Sequence, residues 1–420
     1  MADRVSDIFT EVGGTILLDS LFFPGNVNYN DADISREENN SSFLFTQKGD
    51  TGMRSQDRFR GCLIGGAAGD ALGYEVEFMG EERIFSKYGK QGITEYALRN
   101  GVAEISDDTQ MTLFTAAGLL TGTIRGMMRG IMGSYAEYVH LSYLDWLRTQ
   151  EERFPLPEGN HHSWLVNVPG LFSRRAPGNT CLAALHSGKC GTIENPINRS
   201  KGCGGVMRAA PVGLYFNDRN KDIREIARLG AEVAAITHGH VLGWMPAAVL
   251  AQIIHEVSQD DESVLGAVLH SLETAVEMWP ESPERDTFID LMKKAVDLSR
   301  GTAGDLDAIH RLGEGWVAEE TLAIAVYCAL KYEQDFDKAI IAAVNHKGDS
   351  DSTGAVAGNI LGAKLGLSGI PPKYTKNLEL TDTILEIADD LWKDCRMSEN
   401  DPEHRDPVWS QKYMEMTYRK

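Results

Sequence analysis

The chain has 420 residues, of which 42% are hydrophobic and 24% are charged, and its formal net charge is −20. This length suffices for one large domain or two, and the composition is that of a globular protein with a sizeable core. The negative charge argues against non-specific nucleic-acid binding, which requires a basic face. A small anionic ligand bound in a local pocket is still compatible with it.

Six cysteines are scattered along the chain, and none forms a Cys-x-x-Cys pair. This spacing argues against a zinc site or a redox motif. In so long a chain we expect reduced thiols, which favours a cytoplasmic protein. The apolar stretch Thr15–Leu18 is interrupted by Asp19, so we predict no signal peptide, and no apolar run reaches the roughly 18 residues of a membrane span.

Residues 1 to 55 differ from the rest in composition, since their apolar residues are confined to two short patches and Pro24-Gly25 marks a turn. The basic residues before Gly52 are Arg4, Arg36 and Lys48, and the acidic ones are Asp3, Asp7, Glu11, Asp19, Asp31, Asp33, Glu37, Glu38 and Asp50. We therefore predict an acidic N-terminal extension over residues 1–55, followed by one domain over residues 56–420.

Glycines recur every four residues in two distant stretches, at Gly61, Gly65, Gly69 and Gly73 and at Gly354, Gly358, Gly362 and Gly366. Positions four apart lie on one face of a helix, so each stretch would present a stripe without side chains. Glycine lowers helix stability by roughly 1 kcal/mol relative to alanine, and a row of four therefore needs a reason. Close approach of the two helix backbones would explain both rows of glycines, so we predict two central helices that pack against each other. The alternative is a loop at residues 65–69.

Two acidic clusters each precede a run typical of a buried helix. The first is Ser106-Asp107-Asp108-Thr109, and the second, within residues 348–353, contains two more aspartates. One such aspartate is ordinarily a helix cap, but a cap needs only one acceptor. Four carboxylates drawn together would repel each other unless cations neutralised them. Two divalent cations supply the four charges, and oxygen-only ligands favour Mg²⁺ or Mn²⁺ over Zn²⁺.

A glycine-rich stretch lies at residues 200–205, in the sequence Ser-Lys-Gly-Cys-Gly-Gly. Glycines allow backbone N–H groups to surround a phosphate, although such a stretch alone is ordinarily a plain turn. No Gly-Lys-Ser/Thr follows, which excludes a Walker loop.

The remaining chain alternates helical patterns with polar loops. The spacing of apolar residues over 226–233 predicts an amphipathic helix, and residues 379–393 predict another. Residues 93–104 give a weak signal for a short hairpin. Trp316 fits either a ring-stacking position or a buried helix start. The polar tail from about Met397 is expected to lie on the surface.

Six motifs, taken in chain order, resemble the ADP-ribosylglycohydrolase family. They are Gly69-Asp70-Ala71-Leu72-Gly73, the first acidic cluster, Gly202–Pro211, Thr237–His240, Gly315–Glu320 and the second acidic cluster. Each motif alone is weak, whereas the ordered set, from about residue 57 to about residue 395, is specific. The resemblance implies an all-α, compact multi-helix fold with a binuclear Mg²⁺ or Mn²⁺ centre that hydrolyses ADP-ribose linkages.

The resemblance also implies roles for individual residues. The metal ligands would be Ser106, Asp107, Asp108, Asp349, Asp351 and Ser352. The catalytic residues would be Glu77, which matches the family's acidic residue near the scissile bond, Asp107 and Asp349. The substrate-binding residues would be Gly202, Gly204, Gly205 and His238, with the glycine loop holding a diphosphate. Whether Glu77 or a metal-bound aspartate moves the proton stays open at this point.

The implied substrate is ADP-ribosylated protein, with arginine as the linked residue, and no nucleic-acid or membrane partner is expected. One alternative is a hydrolase of ADP-ribosyl-serine or of a free ADP-ribose derivative. Another is a binding protein without turnover, against which the intact carboxylate set argues. The acidic extension resembles the arms of immunity proteins that also block an ADP-ribosyltransferase toxin; the alternatives for it are a disordered tail or an intramolecular flap.

Overall fold

The computed structural model describes residues 54–131, 133–216, 222–393, 397 and 405–420. These residues fall in one compact unit that spans residues 51–420. Within the described ranges the chain forms helices and isolated β-bridges but no strand, which confirms the all-α class. Nearly all of the predicted extension lies outside the described residues, so the domain boundary at residue 55 stays a prediction.

The α-helices, numbered in chain order, are α1 Gln56–Tyr74, α2 Glu81–Tyr88, α3 Asp107–Arg129, α4 Tyr135–Glu151, α5 Asn179–His186, α6 Ala210–Tyr215, α7 Ile223–Ala235, α8 Val241–Gln259, α9 Val264–Met278, α10 Pro283–Arg300, α11 Asp305–Leu312, α12 Ala318–Lys331, α13 Phe336–Val344, α14 Ser350–Leu365, α15 Pro372–Thr375, α16 Thr381–Lys393 and α17 Pro407–Tyr413. Short 3₁₀ helices cover Trp164–Asn167, Pro169–Leu171, Cys203–Gly205 and Leu367–Gly369. Helices α7 and α16 confirm the two amphipathic helices that the sequence predicts.

The two glycine stripes face each other along α1 and α14, which run antiparallel at the centre of the fold. A Cβ atom added to Gly61 would lie 2.3 Å from the carbonyl oxygen of Gly362, and one added to Gly65 would lie 2.3 Å from that of Gly358. One added to Gly73 would lie 2.2 Å from the carbonyl oxygen of Ser350. The prediction of close backbone packing is confirmed, and the loop alternative is wrong. This glycine seam places the C-terminal end of α1 beside the N-terminal end of α14.

Helix α8 crosses the interior beside this pair. By length and composition it could span a membrane, yet 94% of its most apolar window is buried inside the fold. The environment of α8 is therefore that of a core helix, packed on both sides by other helices of the unit.

The predicted hairpin over residues 93–104 is reduced to one tight turn. Arg99 and Val102 form an isolated antiparallel bridge, with N···O distances of 2.8 and 3.1 Å. The two residues between them, Asn100 and Gly101, have φ values of 53° and 85°. Positive φ at both central positions suits a tight two-residue turn, but no strand extends from it.

The expected surface position of the C-terminal tail holds for residues 405–408 of its described part, which are exposed, but not for one face of α17. Trp409 and Tyr413 of α17 are buried, and so is Lys412. The Lys412 ammonium lies 2.6 Å from Asp390 and 2.7 Å from Glu386, both on α16. Lys412 is therefore buried within an ion-pair cluster that it forms with two carboxylates of α16.

Candidate metal centre and substrate cleft

The first acidic cluster opens α3, and its helix end is capped by residues other than its two aspartates. The Ser106 hydroxyl accepts a hydrogen bond from the backbone N–H of Asp108 at 3.2 Å. Asp70, buried on α1, accepts from the backbone N–H groups of Ser106 at 2.9 Å and Thr109 at 3.1 Å, and from the Thr109 hydroxyl. Because this capping is complete without them, the carboxylates of Asp107 and Asp108 are available for other contacts.

The second cluster opens α14 in a similar way. Asp349 stands at the N-cap position of α14, but its side chain accepts no capping hydrogen bond from the described residues. Its backbone is fixed instead, since its N–H donates to the carbonyl of Glu314 at 2.9 Å and its carbonyl accepts from the Thr353 hydroxyl at 2.9 Å. Capping by Asp349 does not explain its carboxylate, whose Oδ2 has no hydrogen-bond partner among the described residues.

The structure brings the two clusters and Glu77 together. Carboxylate oxygens of Glu77, Asp349 and Asp351 lie within 4.8 Å of one another. They line a cleft of about 550 Å³, together with Asp107, Asp108 and Ser352. Ser106 is fully buried behind this wall. Five carboxylates from α3, α14 and the segment after α1 thus face one cleft, as the sequence predicts.

Burial and mutual repulsion strongly perturb these acids. Burial, followed by the charges of Asp351 and Asp349, raises the pKa of Glu77 to about 11. The same two causes, burial first and then the charge of Asp351, raise the pKa values of Asp107, Asp108 and Asp349 well above the usual range. Without a counter-charge the cluster would therefore hold protons at neutral pH.

Three buried oxygens at this wall have no hydrogen-bond partner among the described residues: Glu77 Oε2, Asp108 Oδ2 and Asp349 Oδ2. A buried acceptor without a donor is costly, and native structures rarely leave one unsatisfied. Oxygen donors of this number and charge fit hard divalent cations of the Mg²⁺ or Mn²⁺ type. The residues present therefore fit the metal group that the sequence implies.

The same cleft is lined by most of the predicted substrate-binding residues. Gly202, Gly204 and His238 line it. Gly205 points away from the cleft, because a Cβ atom there would lie 2.6 Å from the carbonyl oxygen of Gly243. The 3₁₀ turn Cys203–Gly205 is anchored to the segment before α12, where the Cys203 N–H donates to the Trp316 carbonyl at 3.2 Å.

Two aromatic side chains stand at the mouth of the cleft. Phe78 and Trp316 stack with their ring centroids 6.1 Å apart and an interplanar angle of 22°. Their exposed fractions are 72% and 40%, so Trp316 is not a buried helix-start residue. Both rings are available to a ligand that enters the cleft.

Sequence reasoning assigns no role to three residues that the structure places at or behind the site. Asp70 supports α3, and the signal for it is an acidic residue in the middle of a glycine-rich helix. The Cys203 thiol lies beside Asp349 and Ser352, two of the predicted metal ligands. Arg208 is fully buried behind the glycine loop, and no sequence pattern separates it from a surface arginine.

Comparisons with known proteins identify the family of the chain. The family model for ADP-ribosylglycohydrolase matches residues 51–401. The chain is 25% identical over 366 residues to ADP-ribosylhydrolase ARH3 of Homo sapiens, covering 78% of this chain and 90% of the relative. It is 24% identical over 347 residues to ADP-ribosylarginine hydrolase Tri1 of Pseudomonas putida (strain GB-1), covering 81% and 80%.

Two further relatives support the assignment. ADP-ribosyl-dinitrogen reductase glycohydrolase of Rhodospirillum rubrum is 26% identical over 338 residues, with 79% of this chain and 93% of the relative covered. A solved chain from an ADP-ribosylglycohydrolase-related protein complex matches with a TM-score of 0.55 at 24% identity, covering 81% of this chain and 99% of that one, which shows the shared fold. The ordered motifs, the acidic cleft and the match over residues 51–401 lead to one conclusion: the chain belongs to the ADP-ribosylglycohydrolase family.

Proposed function

We propose that this protein is a metal-dependent hydrolase that removes ADP-ribose from modified arginine side chains. Family membership supports hydrolysis of ADP-ribose conjugates in general. The observation that carries the finer proposal is the convergence of five buried carboxylates, three with unpartnered oxygens, in one cleft that a glycine loop also lines. This arrangement offers an anion-binding wall and a cation-binding wall within reach of one small ligand.

The metal ions would be held by the two acidic clusters, through Ser106, Asp107, Asp108, Asp349, Asp351 and Ser352. When bound, two Mg²⁺ or Mn²⁺ ions would acidify a water molecule and hold sugar hydroxyls in place. The glycine loop at residues 202–204 would hold the diphosphate through backbone N–H groups.

Glu77 is the residue we assign to proton transfer. In the reaction a water oxygen bonds to the anomeric carbon and the bond from that carbon to the guanidine nitrogen breaks. The nitrogen gains a proton and the water loses one, so a carboxyl group that gives up the first proton is restored by the second. Glu77 lines the cleft, and its Oε2 has no hydrogen-bond partner among the described residues, so its carboxyl group can exchange a proton with a ligand bound there. Asp107 and Asp349 would contribute by holding the cations rather than by moving the proton.

Two features favour arginine over other linkages. A guanidinium is a cation, and the mouth of the cleft presents two exposed aromatic rings, Phe78 and Trp316, whose faces attract such a group. The relative from Pseudomonas putida is named as an ADP-ribosylarginine hydrolase.

The test is a release assay on two peptides of matched sequence, one ADP-ribosylated on arginine and one on serine. We expect Mg²⁺- or Mn²⁺-dependent release from the arginine-linked peptide and none with EDTA. Faster release from the serine-linked peptide would assign the alternative linkage, and binding without turnover under any metal would make the protein a binding module.

A second candidate function concerns residues 1–55, which lie outside the described residues apart from the last two. The observation in its favour is the ratio of nine acidic to three basic side chains before Gly52. ADP-ribosyltransferases bind an anionic dinucleotide and so present a basic cleft, which such an arm would complement. We propose that the arm blocks a cognate ADP-ribosyltransferase toxin. Deletion of residues 1–50 should abolish stoichiometric inhibition and leave hydrolysis intact; unchanged binding to the transferase would refute this role.

A further inference from the structure

Arg208 occupies an unusual place behind the glycine loop. It is fully buried, and its guanidinium lies over the ring of Tyr143, 4.6 Å from the centroid. Its Nη1 donates to sulfur, at 3.3 Å from Cys181 and 3.6 Å from Met111. Its Nε has no hydrogen-bond partner among the described residues, and no described carboxylate lies close enough to form an ion pair with it. A buried cation so poorly compensated is costly, so its position requires an explanation.

The strongest contact of Arg208 leads to the cleft through Thr237. Arg208 Nη2 donates to the Thr237 hydroxyl at 2.7 Å, and this hydroxyl lies 2.8 Å from Nδ1 of His238. Because a guanidinium can only donate hydrogen bonds, the Thr237 oxygen accepts the bond from Arg208. The Thr237 hydroxyl can then still donate its own proton to another acceptor. Two acceptors lie near that proton, His238 Nδ1 and the Cys181 sulfur. An imidazole nitrogen is much the stronger acceptor of the two, so the proton goes to Nδ1.

This direction of hydrogen bonding fixes the tautomer of His238. When Nδ1 accepts, the ring proton of a neutral imidazole is on Nε2. Nε2 is the side of the ring that faces the glycine loop, since a Cβ atom added to Gly202 or to Gly204 would lie 3.3 Å from it. Burial and the charge of Arg208 lower the pKa of His238 to about 3, which keeps the ring neutral and leaves one N–H to offer.

We propose that Arg208 and Thr237 are positioning residues that hold His238 as the neutral Nε2–H tautomer, so that its ring donates a hydrogen bond to an anionic group bound at the glycine loop. In the proposed function, on which the identity of this ligand rests, the anionic group is the diphosphate of ADP-ribose. A fixed donor needs no proton uptake when the ligand arrives, so binding through it costs little reorganisation.

The tautomer is measured directly by long-range ¹H–¹⁵N correlation spectra of ¹⁵N-histidine-labelled full-length protein. The chain has 11 histidines, and the His238 signals are identified by their loss in His238→Gln. We expect the Nε2–H pattern in the wild type and in Thr237→Ser, which keeps the hydroxyl. We expect a mixed or Nδ1–H pattern in Thr237→Val, which keeps the shape and removes the hydroxyl.

Ligand binding gives the second readout, by calorimetric titration with ADP-ribose. A lost hydrogen bond to a charged group should raise Kd about tenfold or more in Thr237→Val, and Thr237→Ser should restore it. An Nδ1–H tautomer in the wild type, or an unchanged tautomer and Kd in folded Thr237→Val, overturns the proposal. Failure of the wild type to bind ADP-ribose would count against the proposed function instead, because the spectra decide the tautomer without any ligand.

Discussion

Gly69 and Gly354 touch so closely that a Cβ atom added to Gly69 would lie 2.0 Å from the Gly354 carbonyl oxygen. No rotamer relieves that overlap, because both groups belong to backbone. Gly69→Ala should therefore separate α1 from α14 and destabilise the fold by at least the roughly 1–3 kcal/mol typical of overpacking. The measurement is the free energy of unfolding in denaturant, together with Mg²⁺ affinity, which should fall as the clusters move apart.

The matched control for that variant is Gly80→Ala. A Cβ atom there meets nothing within 4 Å, and its φ of −70° suits alanine. We expect no loss of stability or metal affinity. Equal stability of the Gly69 and Gly80 variants would show that the glycine seam is not the tight contact described above.

Removing one carboxylate of the cleft should weaken metal binding and activity together. Asp107→Ala and Asp351→Ala each leave a hard cation short of a charged ligand. We expect a loss of at least tenfold in Mn²⁺ affinity by calorimetry and most of the hydrolytic activity at limiting metal. Glu82→Ala, at an exposed position on α2, is the control, because it also replaces an acidic side chain by a methyl group. Near wild-type turnover in either aspartate variant would contradict the ligand assignment.

Metal removal should make stability depend on pH in a defined direction. The pKa of Glu77 is raised to about 11 and that of Asp70 to about 7, above the ordinary values near 4. A raised carboxyl pKa means that the unfolded chain loses its protons first, so the metal-free fold loses stability as pH rises from about 4 through each folded pKa. Thermal unfolding in EDTA should therefore show a lower Tm at about pH 8 than at about pH 5.

Two comparisons test the cause of that pH dependence. Mg²⁺ or Mn²⁺ should raise Tm more at the higher pH, because the cation replaces protons. Asp351→Asn removes the largest like charge acting on Glu77 and should flatten the dependence in EDTA. A Tm that is independent of both pH and metal would indicate that the carboxylates are not crowded as described.

Neighbouring glycines of the loop should respond differently to substitution. A Cβ atom at Gly204 would lie 2.9 Å from Cε1 of His238 and 3.0 Å from the Cys181 sulfur, so Gly204→Ala should displace the ring and raise KM. At Gly205 the obstacle is the Gly243 carbonyl at 2.6 Å, so Gly205→Ala should lower Tm. Steady-state kinetics and thermal unfolding of both variants separate the two effects. A raised KM with normal Tm in Gly205→Ala would place that glycine in the cleft.

The periodic parts of the sequence predict the fold well. Spacing every four residues identifies α1 and α14 as a close pair, and the acidic clusters mark the N-terminal ends of α3 and α14, because helix geometry converts spacing directly into faces. The shared cleft follows once those helices pack together. Composition is a poorer guide where charges pair in the interior, as for Lys412 with Asp390. The residue types of a buried ion pair are the same as those of charged residues exposed to solvent, so the sequence does not distinguish the two.

The orientation of the glycine loop at residues 202–205 could not be predicted from the spacing of residues in the sequence. Gly204 and Gly205 are adjacent and identical in type, yet one lines the cleft and the other packs against Gly243. That difference depends on how the 3₁₀ turn is oriented by its contact with Trp316. The path from Arg208 to His238 likewise joins residues 30 positions apart through a single hydroxyl, and no periodicity encodes such a contact.

The glycine seam between α1 and α14 also affects which size of metal ion the proposed site accepts. Asp349 and Asp351 stand at the start of α14, where the backbone of Ser350 packs against Gly73 in the last turn of α1, so the backbone that carries these two proposed ligands is held in place. A cage held in this way cannot expand to the six to eight oxygens at 2.3–2.6 Å that Ca²⁺ takes, whereas Mg²⁺ requires a tight shell at 2.0–2.1 Å. We therefore expect the protein to discriminate against calcium by rigidity, with loosened seam variants accepting it more readily.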